Sequence, residues 1–165
     1  MNVILIGMPG CGKSTVGVLL AKSLLCDFVD TDLTIQNKYK MSLCEIIEKD
    51  GLEGFKNKED TVLTEVCCQN SVIATGGSAV YCEKGMENLK ALGKVIYLKL
   101  SPEEIKNRIK NITTRGIAMK KGTTIEELYE ERSALYEKYA DYIIDCQNTT
   151  AEECVNKIVE AIKNK

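Results

Sequence analysis

The chain has 165 residues, 44% of them hydrophobic and 28% charged, with a formal net charge of −2, enough to bury the core of one domain. The near-neutral balance gives no general attraction to nucleic acid or to an anionic membrane, and no apolar run reaches membrane-spanning length. There is no histidine, and the eight cysteines show no C-x-x-C spacing, so a Cys/His zinc site is excluded.

Residues 3–6, Val-Ile-Leu-Ile, form an apolar run of strand length at the start of the chain, where a leader peptide would differ. A monomer acting in a reducing cytoplasm, with most cysteines as small core thiols, is the expectation. The strand leads into Gly7-Met8-Pro9-Gly10-Cys11-Gly12-Lys13-Ser14, a complete G-x-x-x-x-G-K-[ST] loop, and residues 15–25 continue with helical periodicity. Strand, loop and helix together build a polyphosphate cradle of inward-pointing backbone N–H groups at a helix N-terminus. Gly10, Cys11, Gly12, Lys13, Ser14 and Thr15 are its candidate nucleotide contacts. Lys13 reaches the outer phosphates, and Ser14 offers a hydroxyl to Mg²⁺. Cys11 sits where a helix N-terminus favours thiolate, but it reads as a tolerated variable position of the loop.

A second strand, 28–30, ends in Asp30-Thr31-Asp32. One carboxylate suits the Mg²⁺ shell and the other an acceptor hydroxyl whose proton must be taken; the plain alternative is Asp32 as a helix cap. Without histidine, a general base is expected to be Asp or Glu. Residues 32–68 read as a long helical excursion. The third strand, 72–75, runs into Thr75-Gly76-Gly77-Ser78, where the glycines serve either a close ligand approach or a tight turn. Strands at 95–100 and 142–145 complete the set, and Ser42/Glu45, Ser101/Glu104, Thr124/Glu127 and Thr150/Glu153 have capping-box spacing. Alternating strands and helices imply a parallel sheet covered on both faces, with ligands at the carboxyl ends of its strands.

Residues 111–123 are polar, glycine-punctuated and aperiodic, which over a nucleotide site suggests a lid. All three arginines, Arg108, Arg115 and Arg132, lie in or beside it, and arginine's planar fork clamps phosphate and carboxylate.

Taken together, these motifs resemble the shikimate kinases, small P-loop enzymes of the nucleoside-monophosphate-kinase-like group. The resemblance runs through the phosphate loop with Val16-Gly17, Phe28-x-Asp30-Thr31-Asp32-x-x-Ile35, Gly51 with Phe55-Lys56 and Glu59, Ile73-Ala74-Thr75-Gly76-Gly77, Arg115, and Glu131-Arg132 before Leu135-Tyr136. It implies a three-layer α/β fold with a five-stranded parallel sheet, a helical substrate-binding insertion (32–68), a lid (111–123), and ATP-dependent phosphorylation of the 3-hydroxyl of shikimate. By that likeness Lys13 and Ser14 hold phosphate and Mg²⁺, Asp30 assists the metal, and Asp32 binds the hydroxyls and acts as base. Gly76 and Gly77, with Ser78 beside them, contact the substrate. Lys56 and Arg132 face its carboxylate, Arg115 stabilises the moving phosphoryl, Arg108 lies near the nucleotide and Asn148 borders the adenine.

Four departures touch these expectations, one of them Leu52, which stands where the family frequently has an acid. Lys56 stands where the family usually has arginine, Ser78 replaces a third glycine, and Gly116 stands where proline is common, which should loosen the lid. Two rival readings remain. Asn57-Lys58-Glu59-Asp60 spells the N-K-x-D guanine signature of switch GTPases, although no Asp is followed three residues later by Gly. A kinase for another small hydroxylated acid, such as gluconate, fits the same basic pair.

Overall fold

The computed structural model describes residues 1–109 and 116–163. Its centre is a five-stranded, all-parallel sheet of β1 (Asn2–Ile6), β2 (Asp27–Asp30), β3 (Ser71–Ala74), β4 (Gly93–Lys99) and β5 (Tyr142–Asp145), in the order β2-β3-β1-β4-β5. Strand β1 is central because every one of its residues is apolar or satisfied: all five are buried, and Ile4, Leu5 and Ile6 have no exposed surface. Burying each such side chain stabilises the fold by about 1.5–3 kcal/mol. The one polar residue of β1, Asn2, answers backbone groups instead, donating to Cys68 O (2.8 Å) and accepting from Ser71 N (3.0 Å).

The helices cross between strands: α1 (Lys13–Leu24), α2 (Thr31–Tyr39), α3 (Leu43–Glu65), α4 (Glu83–Leu92), α5 (Pro102–Ile109), α6 (Ile125–Tyr139) and α7 (Ala151–Lys163). A single 3₁₀ turn, Ala79–Tyr81, follows β3. Three of the four expected capping pairs close reciprocally, at Ser42/Glu45, Thr124/Glu127 and Thr150/Glu153. The fourth closes by half: Glu104 N bonds Ser101 Oγ (3.3 Å), but the Glu104 carboxylate is drawn away to Arg108. The backbone N–H it would have accepted from, at Ser101, donates instead to Gln147 Oε1 (3.1 Å), and the carboxylate pairs with the guanidinium.

Two apolar clusters divide the interior. The larger joins the sheet to α1, α4, α6 and α7. The smaller, Ile35, Leu43, Ile46, Phe55 and Val62, holds α2 and α3 together as the helical excursion between β2 and β3. Helix α3 is kinked where Gly51 leaves helical geometry (φ 70°). Residues 116–123 carry no helix or strand before the Thr124 cap; the rest of the stretch read as a lid, 111–115, lies outside the described residues. Among the described residues no helix is long and apolar enough to cross a membrane.

Strand order fixes where a ligand goes. The chain moves from β1 to one side of the sheet and, after β3, crosses to the other, so a crevice opens beyond the carboxyl end of β1.

Candidate active site

That crevice begins with the phosphate loop. Helix α1 starts at Lys13 with Gly12 as its N-cap (φ 97°) and no side-chain cap, leaving its first N–H groups to an outside acceptor. The Lys13 ammonium, 8% exposed, folds back to donate to Gly7 O (2.8 Å) and Met8 O (2.9 Å). A phosphate arriving in the loop would compete for this group. Cys11 is buried, its sulfur accepting weakly from Lys13 (3.7 Å), and its side chain does not line the cleft. Thr15 is exposed at the rim. From the far side α5 brings Ile109 over Gly10 and the Arg108 guanidinium beside Gly12, where Glu104 holds it.

The acids at the end of β2 divide their work. Asp30, not Asp32, caps α2: its Oδ1 accepts from Asp32 N (3.0 Å) and Leu33 N (3.3 Å). The other oxygen, Oδ2, accepts from Ser14 Oγ (2.7 Å). A hydroxyl and a carboxylate brought together by two different elements form a hard oxygen pair suited to Mg²⁺, which takes few protein ligands beside phosphate and water. Relieved of capping, Asp32 lines the cleft.

Across from it stands the glycine pair. A Cβ on Gly76 would lie 2.7 Å from both Asp32 Oδ1 and Glu59 Oε1, and one on Gly77 would lie 2.8 Å from Pro9 and 3.1 Å from Arg132 Nη1. Neither glycine has positive φ, so close approach, not turn geometry, demands them. The Gly77 carbonyl accepts from Tyr136 of α6 (2.6 Å), which ties this turn to the opposite wall.

Behind the pair, Glu59 of α3 is fully buried. Its Oε2 accepts from Ser78 Oγ (2.6 Å), and its Oε1 has no partner among the described residues. Burial pushes its carboxyl up to about 7; Asp32 pushes the same way, while the Ser78 hydroxyl, Arg132 and Lys13 oppose the rise.

Arg132 of α6 closes the far wall at 1% exposure. Its Nε donates to Tyr81 OH (3.3 Å) and its Nη2 to Ala118 O (2.5 Å), while its guanidinium lies over the Tyr81 ring at 5.2 Å. No carboxylate pairs with it among the described residues. Lys56, half-buried, lines an adjoining cleft that shares Phe55, Ser78 and Arg132 with the first. The described part of the lid stretch roofs both: Gly116, at φ 53°, packs so tightly on the start of α3 that a Cβ would lie 2.9 Å from Cys44 N and Sγ. Proline, locked near φ −65°, could not take that conformation. The glycine therefore permits a close seat rather than merely a looser one.

The cleft at the phosphate loop, about 770 Å³ including the solvent at its mouth, thus brings together Gly10, Gly12, Lys13, Ser14, Thr15, Asp32, Gly76, Gly77, Ser78 and Arg132. Asn148 is not among the residues that line it; it occupies the turn after β5 at φ 53°. Arg115 lies outside the described residues. The guanine-signature match dissolves into structure. It sits within α3, where Asp60 accepts from Gly85 N (2.9 Å) and Lys58 pairs with Asp50 (3.3 Å). Sequence reasoning gave Glu59 no role of its own. The signal was there: an acid sits four residues after Phe55 and three before Val62, on the buried face of one helix.

A phosphate cradle, Asp32 and a buried arginine around one cleft, with Asp30 behind Ser14, define the class: a P-loop phosphotransferase. The family model for shikimate kinase matches residues 9–163. A shikimate kinase of Francisella philomiragia subsp. philomiragia is 37% identical over 161 residues, covering 95% of this chain and 92% of that protein. Among solved structures, shikimate kinase from Acinetobacter baumannii in complex with shikimate superposes with a TM-score of 0.91 at 33% identity, over 99% of this chain and 95% of that one. Shikimate kinase from Aquifex aeolicus gives 0.83 at 32%, over 99% and 96%. The chain belongs to the shikimate kinase family. It is an ATP-dependent kinase of the shikimate pathway with the P-loop kinase fold.

Proposed function

We propose that the chain transfers the γ-phosphoryl group of ATP to the 3-hydroxyl of shikimate, giving shikimate 3-phosphate, as a monomer in the cytoplasm. The observation that carries the acceptor is Arg132. A buried guanidinium with no carboxylate in salt-bridge contact among the described residues is costly unless a ligand supplies the anion, and its Nη1 faces the glycine pair at the cleft wall. The acceptor's carboxylate fills that role, with Lys56 adding a second positive charge from the adjoining wall. The ring hydroxyls then point toward Asp32 and the phosphate loop.

Asp32 orients the 3-hydroxyl and takes its proton on a carboxylate oxygen as the new O–P bond forms. Gly76 and Gly77 let the acceptor lie against bare backbone. The Gly10–Thr15 segment wraps the β- and γ-phosphates, and Lys13 exchanges its loop carbonyls for phosphate oxygens as negative charge shifts toward the leaving group. Ser14 and Asp30 would hold Mg²⁺, which would supply neutralisation of the charge on the phosphates. Arg108 borders the nucleotide beside Gly12. Arg115 as the phosphoryl clamp and Asn148 at the adenine rest on the family resemblance. Residues 32–68 are the acceptor-binding region and 111–123 the lid whose closure excludes water.

The test is ADP release with ATP and Mg²⁺ over a panel of shikimate, quinate, gluconate, homoserine and no acceptor. Release that requires shikimate, with shikimate 3-phosphate as product, supports the reading. Preference for gluconate would assign a different hydroxy acid, and acceptor-independent release would remove the kinase reaction.

A further inference from the structure

The replacement of a third glycine by Ser78 has a physical consequence inside this chain. Its hydroxyl is committed: Ser78 Oγ donates to Glu59 Oε2 at 2.6 Å, part-buried, across 19 residues of sequence. That contact fastens the turn after β3 to α3, and it decides which way the buried carboxyl faces. With Oε2 taken by the serine, Oε1 is left without a partner among the described residues and lies against Gly76, on the same spot that Asp32 Oδ1 approaches. A fully buried carboxyl oxygen with nothing to accept from is an expensive feature to keep.

We infer that Ser78 is a positioning residue that acts through Glu59: its hydroxyl fastens this buried carboxyl behind the glycine pair, and the charge of the carboxyl governs how well an anionic acceptor is held. The inference rests on the acceptor reading given above and deepens it, by identifying what sets the charge of the acceptor pocket.

The groups that face Glu59 come from every element around it. Asp32 of α2 is a like charge; Arg132 of α6 and Lys13 of α1 are opposite charges; the Ser78 hydroxyl donates a hydrogen bond. The Cys82 thiol approaches Oε2 at 3.9 Å and is held neutral by burial. On α3 itself Lys56 and Asp60 flank the position one turn back and one residue on, and both act on the same Cys82 thiol. Burial dominates and lifts the carboxyl from the ordinary range to about 7, so Glu59 changes charge near neutrality. The sign follows. Below that pH Glu59 is neutral, and Arg132 offers its full charge to the acceptor carboxylate. Above it, Glu59 is an anion that offsets part of that charge, and the acceptor is held less tightly. Ser78 favours the charged form, so removing its hydroxyl moves the change to higher pH.

The experiment follows the KM for shikimate from about pH 6 to about pH 8.5, bracketing the ordinary neutral range, in the full chain, its S78A, S78T and E59Q variants, with the KM for ATP as control. The native chain is expected to show a several-fold rise in shikimate KM with pH. E59Q, whose amide still accepts from Ser78 but cannot ionise, flattens the rise. S78A displaces its midpoint upward by roughly half a unit to one unit, the size of one lost hydrogen bond to a carboxylate. S78T, which keeps a hydroxyl, restores it, and the KM for ATP follows none of these changes. A rise that persists in E59Q, or a midpoint that S78A leaves in place, overturns the inference. Carboxyl ¹³C shifts of the Glu59 resonance, assigned by its loss in E59Q, give the same midpoint without turnover. If that midpoint moves in S78A while shikimate is not phosphorylated, the acceptor reading fails and the Ser78–Glu59 coupling stands; if shikimate turns over and the midpoint does not move, the inference alone fails.

Discussion

On the phosphate side the cleft is mostly backbone from one stretch of chain; on the proposed acceptor side it is side chains from several elements around two bare glycines. The cradle is one contiguous stretch from Gly7 to Ser14, with N–H groups at the uncapped start of α1 and a single ammonium stored on the loop's own carbonyls. The proposed acceptor wall is assembled from α2 (Asp32), α3 (Lys56, Glu59), the turn after β3 (Gly76, Gly77, Ser78) and α6 (Arg132). The contrast follows from what each side must recognise. A polyphosphate is the same in every nucleotide, so a fixed nest of peptide dipoles suffices. An acceptor must be told from other hydroxylated acids, which needs charges and hydrogen-bond partners that can differ between related chains.

The departures from the family pattern obey that division. Leu52, Lys56, Ser78 and Gly116 all fall on the proposed acceptor side or its roof, and none falls within the phosphate loop. Arg132 shows how much the acceptor side depends on tertiary packing: Tyr81 from the 3₁₀ turn and Ala118 from the stretch before α6 hold its guanidinium, and the remaining nitrogen is left facing Gly77.

The comparison can be broken at its most sensitive point by Asp32→Asn. The change should lower kcat by about 10²–10⁴-fold, the range for losing a positioned proton acceptor. ATP affinity measured by calorimetry should stay near normal, since Asp30, not Asp32, caps α2 and bonds Ser14. Near-normal turnover would remove Asp32 from the chemistry, and lost ATP binding would show that the two sides are not separable.

A smaller effect is expected from Arg132→Met, which keeps the volume and removes the charge. Shikimate KM should rise by roughly 30-fold or more, as for truncating one partner of a buried charge pair, with little change in the KM for ATP. An unchanged shikimate KM would place the acceptor's carboxylate elsewhere.

Lys56→Arg sharpens the comparison at the level of a few-fold. Exchanging a point charge for a planar fork should lower the shikimate KM by about 2–10-fold through a bidentate contact. A higher KM would mean that the pocket around Lys56, Phe55 and Ser78 has been reshaped for a different acid.

The sequence by itself determined the sheet, the order of its helices and the whole phosphate cradle. These are written in contiguous residues whose periodicity, caps and glycines act over a few positions, as the closed boxes at Ser42, Thr124 and Thr150 illustrate. The exception at Ser101 is where a distant residue intrudes: Gln147 Oε1 takes the Ser101 N–H, while Glu104 pairs with Arg108 one turn on. Only the tertiary structure decided that Asp30 and not Asp32 is the cap that meets Ser14, that the glycine pair serves close approach, and that Glu59 lies buried behind it with one oxygen unpartnered among the described residues. Burial, and therefore the charge a carboxyl carries, depends on what helices distant in sequence bring alongside it. A residue's type states which protons it can hold; the packing around it sets the pH at which it lets them go.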